Sequence, residues 1–384
     1  MASSLGLYIH IPWCVKKCPY CDFNSHTMGE NPPFEQYVDA LFADMDSQVV
    51  LAQEREITSV FVGGGTPSLL PVPAYERLFL GLKERLSFSD DCEMTLEANP
   101  ATIEHAPFDE YLSVGFNRLS IGVQSFDEKS LTVLGRIHSA KQAETAISQA
   151  CHAGFSRVNA DLMYGLPHQT VEKAVRDLKT ALEAGVTHLS WYQLTIEPNT
   201  AFFRTPPDLP CEDTLADIES AGREILYAHG FDDYEVSAWV GEKDTPCRHN
   251  MNYWQFGDYL AIGAGAHGKI SLPKGVCGHD SGVYRFSKSR LPKDYLNYDT
   301  APKMVQWRAI DPSELVSEYM MNALRLKHGV SVADFERATR LSMSQIEPTL
   351  DRLKAQGLLV NDKRIIRPTA LGFRYVNHLV QAFL

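Results

Sequence analysis

Short apolar runs alternate with stretches of helical period along the first half of the chain. The runs are rich in branched and aromatic residues, and the stretches between them carry one apolar face, as Tyr37, Leu41 and Met45 do. Strand and helix therefore alternate about six times, which predicts a parallel sheet with helices packed against it. The predicted strands are Leu7–Ile11, Ser59–Val62, Met94–Ala98, Arg118–Val123, Arg157–Met163 and Ser190–Ile196. The predicted helices are Phe34–Leu51, Tyr75–Leu86, Asp127–Leu134, Ala140–Ala153 and Val171–Ala184.

The pattern weakens after Glu197, where several prolines mark a connection. A helix at Asp217–His229 and a strand at Tyr234–Trp239 are predicted to extend the same domain. A junction at Ala301–Pro312 leads into a tail of helices, a small hairpin (Leu358–Val360 with Arg364–Arg367) and a last helix. We therefore expect two domains, residues 1–300 and 301–384, the second small, α-helical and winged-helix-like.

Composition adds the expected compartment and partners. The chain of 384 residues has a formal net charge of −12, which disfavours nucleic acid and anionic membrane surfaces as partners. No apolar run has the length needed to cross a bilayer, and residues 1–13 lack the features of a signal peptide. We expect a cytoplasmic protein whose thiols stay reduced.

Three of the cysteines, Cys14, Cys18 and Cys21, lie within eight residues of one another, directly after the first predicted strand. Three thiolates in one loop can each hold one iron of a [4Fe–4S] cluster, which leaves the fourth iron open for a ligand. The alternatives are a zinc site, with His10 or His26 as fourth ligand, or three unrelated core cysteines. The spacing favours the cluster.

Polar residues and glycines also follow the predicted strands. Gly63–Ser68 closes the second strand, and Glu97, Gln124 and Asp161 lie on or just beyond later ones. Because the carboxyl ends of parallel strands meet at one edge, these side chains should gather there. Buried charge is costly unless it is paired, so they should line a cavity or find partners. Each alone is more often a structural hydrogen-bonding residue.

The Cys-x3-Cys-x2-Cys spacing after a first strand resembles the signature of the radical S-adenosylmethionine superfamily. Four further motifs, Glu97–Pro100, Gly122–Phe126, Leu134–His138 and Asp161–Pro167, resemble one of its families over almost the whole chain. That family contains oxygen-independent coproporphyrinogen III oxidase (HemN) and related heme chaperones.

The resemblance implies a partial (β/α)6 barrel, a [4Fe–4S] cluster on Cys14, Cys18 and Cys21, and S-adenosylmethionine on the open iron. It further implies the residues that contact S-adenosylmethionine, which are Tyr8, Tyr20, Gly64, Gly65, Thr66, Glu97, Gln124, Arg136 and Asp161.

Four features separate this chain from the oxidase branch of that family. Phe23 stands where the oxidase carries a further cysteine, and only seven residues precede Tyr8, where the oxidase has an N-terminal extension. The segments His249–Trp254 and Ile262–Gly268 match the heme-chaperone branch. The resemblance thus implies heme binding by His249, Asn250, Tyr253 and Trp254. Cys247, Tyr253 and His267 remain alternatives to His249 as the axial ligand of the iron.

We therefore expect a heme chaperone that delivers heme to acceptor hemoproteins, with a flavodoxin-type protein as electron donor and a homodimer as a possible assembly. The first alternative is a radical enzyme that decarboxylates coproporphyrinogen III, and Phe23 argues against it. The second alternative is a metal-dependent regulator that reads DNA with its tail. The predicted helix Met343–Ala355 is neutral, so no nucleic-acid partner is expected.

Overall fold

The computed structural model of the protein describes residues 4–101, 107–297 and 305–384. The alternation of strands and helices predicted from the sequence is present. The strands are β1 (Leu5–Ile11), β2 (Trp13–Cys14), β3 (His26–Thr27), β4 (Ile57–Gly64), β5 (Phe88–Ala98), β6 (Arg118–Gln124), β7 (Val158–Tyr164), β8 (His188–Gln193), β9 (Phe231–Asp233), β10 (Ala238–Gly241), β11 (Asp258–Ile262), β12 (His267–Leu272), β13 (Gly282–Ser287), β14 (Gln306–Ala309), β15 (Val330–Ser331) and β16 (Ile365–Ile366).

Most of the longer helices connect or flank these strands. They are α1 (Phe34–Asp46), α2 (Val72–Arg85), α3 (Phe108–Ser113), α4 (Glu128–Val133), α5 (Ala140–His152), α6 (Val171–Ala184), α7 (Ala201–Arg204), α8 (Glu212–Ala228), α9 (Arg248–Trp254), α10 (Pro292–Tyr295), α11 (Pro312–Ala323), α12 (Val332–Thr339), α13 (Glu347–Ala355), α14 (Ala370–Arg374) and α15 (Val376–Gln381). No helix within the described ranges is long and apolar enough to span a membrane.

A single mixed sheet forms the centre of the molecule. Its 12 strands follow the order β14-β13-β12-β11-β1-β4-β5-β6-β7-β8-β10-β9. The pairs from β1 through β8 are parallel, as six successive strand–helix units require, and β11 also pairs with β1 in parallel. The predicted (β/α)6 arrangement is thus confirmed as an open, partial barrel.

Strand β6 shows how the sequence decides which side chains enter the barrel. Leu119, Ile121 and Val123 are completely buried in the core, and the residues that alternate with them point to the other face. Those residues are Arg118, Ser120, Gly122 and Gln124, and each of them lines the interior cavity described below. The barrel interior is therefore polar, whereas the layer under the helices is apolar.

Several predicted elements differ in extent from the observed ones. The helix predicted at Phe34–Leu51 ends at Asp46, and a turn of 3-10 helix follows at Val49–Ala52. Of the strand predicted at Tyr234–Trp239 only Ala238 and Trp239 lie in a strand, β10. The preceding residues form a turn between β9 and β10, in which the Glu235 carboxylate accepts a hydrogen bond from Ser237 N (3.1 Å). Helix α3 and the parallel position of β11 were not predicted.

The C-terminal segment builds a second apolar core around α11, α12 and α13. The predicted hairpin is only partly present: Leu359 and Pro368 form a single bridge, while β16 pairs with β15 instead. Phe256 and Val283 of the barrel belong to this second core, so the segment packs on the barrel. The domain boundary predicted at residue 300 lies outside the described residues.

Asp44 on α1 connects four distant parts of the chain. Its carboxylate pairs with Lys288 after β13, and both side chains are completely buried. It also accepts hydrogen bonds from Tyr295 Oη (2.6 Å), Gln48 Nε2 (2.8 Å) and Gly263 N (3.3 Å). A buried charge pair is tolerable when its remaining hydrogen-bonding positions are filled, and Asp44 meets that condition.

We predict that Asp44→Asn lowers the free energy of unfolding by about 3–5 kcal/mol, because it leaves Lys288 charged and buried without its counter-ion. Urea unfolding followed by circular dichroism measures the change. The matched control is Asp39→Asn on the same helix, where the ion pair with Arg77 is exposed and contributes at most about 1 kcal/mol. Equal losses in the two variants would contradict the assignment.

Candidate functional site

Just beyond the carboxyl end of β1, Cys14 ends β2, and Cys18 and Cys21 lie in the loop between β2 and β3. Met28 N donates to Cys14 O (2.8 Å) and Cys21 N donates to Cys18 O (3.2 Å), which holds both ends of the loop. Cys14 is buried, and Cys18 and Cys21 are half-buried. All three line one cavity of about 660 Å³ in the barrel interior. Burial raises the pKa of the Cys14 and Cys21 thiols.

The glycines at the end of β4 let two backbone segments approach closely. Gly64 has φ of 122°, a conformation that side chains rarely permit, and a Cβ on Gly65 would lie 2.5 Å from Trp13 O and 3.0 Å from Cys14 Sγ. Thr66 N donates to Trp13 O (2.7 Å), which joins this turn to the cysteine loop. Glycine is thus required here to bring the β4 turn against the cysteines.

Two buried carboxyl groups face the same cavity. Glu97 Oε2 accepts a hydrogen bond from Gly64 N (3.1 Å), and burial together with the charge of Asp161 raises the pKa of Glu97 to about 8. Asp161 accepts hydrogen bonds from Ser120 Oγ (3.2 Å) and Asn159 Nδ2 (2.8 Å), and burial raises its pKa as well. A carboxyl group that is neutral at pH 7 and lines a cavity is suited to receive a cationic or hydroxyl-bearing ligand.

Arg136 joins the cysteine loop to the strand ends. Its Nη1 lies 3.6 Å from Cys18 Sγ and 3.5 Å from Tyr20 Oη, and its Nη2 donates to Gly122 O (2.5 Å). Its Nε has no partner in the part of the chain that the structure describes. Gln124 ends β6 with a positive φ of 71°, a strained conformation of the kind that clusters at functional sites.

The donor set fits an iron–sulfur cluster better than a single metal ion. A single ion requires ligands that converge on one point at about 2.0–2.3 Å, and among the described residues no three His, Cys, Asp or Glu side chains do so. The two histidines considered as zinc ligands are engaged elsewhere. His10 binds Tyr8 Oη (2.9 Å) and Asn24 O (2.8 Å), and His26 binds Arg290 O (3.1 Å). Thiols spread over one wall of a cavity suit a larger cubane.

The segment predicted to bind heme forms α9, which packs against β1 and β4. The imidazole of His249 is buried and stacks on the ring of Phe61 at 5.0 Å, with Tyr253 edge-on at 5.0 Å. Neither of its ring nitrogens has a hydrogen-bond partner among the described residues. Burial lowers the pKa of His249 to about 4, so the ring is neutral.

The structure brings most of the predicted site residues to one cavity. The three cysteines line it, and so do all residues predicted to contact S-adenosylmethionine except Tyr8. Asn250 and Trp254 line the same cavity from α9, whereas His249 and Tyr253 do not. Tyr8 lies behind its wall and stacks near Phe61 and His249.

Sequence reasoning missed several cavity residues, among them Arg118, Ser120 and Tyr192. Tyr192 Oη donates to Gln124 Oε1 (2.8 Å) and thereby orients that side chain. The signal for Arg118 and Ser120 was available in the alternation of β6, where Arg118, Ser120, Gly122 and Gln124 alternate with buried apolar residues, whereas Tyr192 lies on β8. The prediction considered only the carboxyl ends of the strands and therefore did not include Arg118, which lies at the amino end of β6.

Comparison with known proteins agrees with this geometry. The Radical SAM superfamily model matches residues 8–181, and the HemN C-terminal domain model matches residues 310–375. The solved structure of coproporphyrinogen III oxidase (HemN) from Escherichia coli, described as a radical SAM enzyme, superposes with a TM-score of 0.82 at 24% identity. The match covers 99% of this chain and 90% of that one, a likeness of fold.

Curated relatives are similar along their whole length. The heme chaperone HemW of Escherichia coli (strain K12) is 44% identical over 380 residues, which is 99% of this chain and 98% of that protein. HemW of Haemophilus influenzae is 42% identical, with 99% and 98% covered, and HemW of Bacillus subtilis is 31% identical, with 98% of each covered. By these full-length similarities the chain belongs to the HemW family of the Radical SAM superfamily.

Proposed function

We propose that this protein is a heme chaperone that binds heme and delivers it to acceptor hemoproteins. The observation that carries the proposal is the buried His249 imidazole, neutral and without a hydrogen-bond partner on either nitrogen among the described residues. A buried polar group without a partner costs free energy and needs an explanation, and a bond from the imidazole to a ligand supplies one. A neutral imidazole is an axial ligand of heme iron. The relatives named heme chaperone support the same function.

In this proposal α9 supplies the heme site. His249 ligates the iron, and the aromatic rings of Tyr253 and Trp254 cover the macrocycle beside Asn250. Because the His249 side chain is buried against Phe61, α9 has to move away from β4 before iron can reach it. His267 at the start of β12 is exposed and is therefore the rival ligand that needs no rearrangement.

The cavity holds the two cofactors in this proposal. Cys14, Cys18 and Cys21 bind a [4Fe–4S] cluster, and S-adenosylmethionine occupies the space between the cluster and the strand ends. Glu97 lies beside Gly64 N and receives the ammonium group, while the Arg136 guanidinium receives the carboxylate. Tyr20 lies against the adenine, and Gly65, Thr66, Gln124 and Asp161 complete the contacts. Tyr8 acts from behind the cavity wall through its stacking neighbours.

We propose a cytoplasmic protein with domains at residues 1–300 and 301–384 and with the ability to form a homodimer. A flavodoxin-type electron donor would approach the cluster loop, where Lys16 and Lys17 are exposed beside the apolar side chains of Val15 and Phe23. The exposed Phe23 at the position of the oxidase's additional cysteine disfavours the coproporphyrinogen oxidase alternative.

We predict that hemin forms a stoichiometric complex with a Soret band and that His249→Ala weakens its affinity at least tenfold, because the axial bond is lost. The control is His267→Ala, which removes the exposed imidazole and should leave the Kd unchanged. Absorbance titration measures both. If the wild-type protein forms no hemin complex the proposal fails, and if only His267→Ala weakens binding the ligand assignment is wrong.

We also predict that S-adenosylmethionine binding at pH 7 releases about one proton, because Glu97 with its raised pKa is protonated beforehand and ionises against the ammonium group. The release should disappear as the pH rises above about 8, where Glu97 is already ionised. Titration calorimetry of the reconstituted protein in buffers of different ionisation enthalpy measures it without oxygen.

Glu97→Gln should abolish this proton release and weaken S-adenosylmethionine binding at least tenfold. Glu56→Gln, at an exposed carboxylate on the surface, should change neither quantity. The same proton release from wild type and Glu97→Gln would show that Glu97 is not the group that meets the ammonium.

A further inference from the structure

Arg118 is a buried arginine whose guanidinium makes no hydrogen bond to any described residue. It is 2% exposed, opens β6, and lines the same cavity as the cysteines. Its Nε has no hydrogen-bond partner among the described residues, and its guanidinium forms no ion pair with any carboxylate in the described ranges. A guanidinium carries five donors in a fixed fork, so leaving it bare inside a protein is costly.

The charge of Arg118 is balanced at a distance, although its donors are not satisfied. Burial alone would raise the pKa of Glu93, but the charges of Arg118 and Arg157 hold it below its usual value. The Glu93 oxygens, however, are already taken by Arg157 Nη1 (2.5 Å), Arg248 N (2.9 Å) and Cys247 Sγ (3.3 Å). Glu93 therefore compensates the charge of Arg118 without accepting its hydrogen bonds.

The other groups that face Arg118 are likewise occupied. Asp244 pairs with Arg157, and Asp161 accepts hydrogen bonds from Ser120 and Asn159. His188 is hydrogen-bonded to Asn159 and Tyr234 and is held neutral by burial and by the charge of Arg118, which lower its pKa. Among the described residues none accepts a hydrogen bond from the Arg118 guanidinium, and Arg118 lines the cavity.

Further unused donors lie along the part of the cavity that α9 and the C-terminal domain supply. Trp254 Nε1 and Arg325 Nε are buried without partners in the described part of the chain. The Nη2 atom of Arg325 forms an ion pair with Glu235 (3.0 Å). Asn250 Nδ2 donates to Tyr234 Oη over 3.4 Å. One cavity is lined by Arg118, Trp254, Arg325 and Asn250 together with the cysteines. We call the part of the cavity that these four residues line its floor.

We propose that the floor of the cavity is a second ligand site, distinct from the cluster and S-adenosylmethionine, in which Arg118 receives the carboxylate of a bound molecule. A carboxylate matches the guanidinium fork with two parallel charge-assisted hydrogen bonds. Arg118 and Gln124 stand at opposite ends of β6, so the floor is roughly 20 Å along the strand from the cofactor end of the cavity. The two sites can therefore be filled together.

The carboxylate could belong to a free organic acid or to a propionate of a porphyrin, and the experiment separates the two sources. Succinate is the probe for the free acid, and succinamide is its neutral counterpart. Equilibrium dialysis of radiolabelled succinate against the full chain, reconstituted with cluster and saturated with S-adenosylmethionine, gives the Kd. Hemin and hemin dimethyl ester, whose propionates are masked, are compared by Soret titration.

We expect saturable succinate binding that succinamide does not displace and that Arg118→Gln weakens at least tenfold. Arg374→Gln makes the same chemical change at an exposed arginine on α14 and should leave the Kd as it is. If Arg118→Gln does not fold, Arg118→Lys keeps the compensating charge but loses the fork, and it should weaken binding about fivefold.

Two results support the proposal. Loss of succinate binding in the Arg118 variant identifies a free acid, and a loss confined to hemin but absent for its dimethyl ester identifies a propionate. The proposal is overturned if neither succinate nor hemin binding responds to Arg118 more than to Arg374. The succinate measurement needs no heme. If the wild-type protein does not bind heme, the response of succinate binding to Arg118→Gln still tests the proposed site.

Discussion

Charges buried inside the protein have to be matched by partners, and the way each one is matched separates structural groups from ligand-binding ones. Asp44 has its positions filled by Lys288, Tyr295, Gln48 and a backbone nitrogen, all from the protein itself. Such a group holds secondary-structure elements together, and its hydrogen-bonding positions are filled without solvent or ligand. The cavity groups are arranged differently, because their neighbours compensate charge without using every donor and acceptor.

The interior consequently has two chemically different ends. At the carboxyl ends of the strands, thiols and the protonated Glu97 suit iron and a cationic ligand. At the amino ends, Arg118 and Arg325 present positive charge, and α9 closes that side. The cofactor end also holds Arg136, and the other end holds Glu235 beside Arg325, so the two ends present different sets of charges to an occupant of the cavity.

The sequence predicted the strand–helix alternation well because hydrophobic period is a local property that each element carries by itself. It placed the cysteines, Gly65 and Asp161 at the carboxyl ends of strands, where parallel topology gathers them. It did not predict that β11 pairs with β1, since that pairing joins distant parts of the chain and depends on tertiary packing. It also missed Arg118, because a charged residue at the start of an apolar strand resembles an exposed strand end unless the alternation through Ser120 to Gln124 is followed.

The ring of Phe61 has one face toward the cofactor cavity and stacks on His249 on the other side. A displacement of α9 that freed the imidazole would remove one packing neighbour of this ring, leave Tyr8 against it, and so change the shape of the cavity wall. Binding of a ligand by His249 would then change the affinity of the cavity for its cofactor, and by thermodynamic linkage the cofactor would change the affinity of His249 for its ligand by the same factor. In a protein that takes up and releases heme, the ring of Phe61 would couple the position of His249 to the shape of the cofactor cavity.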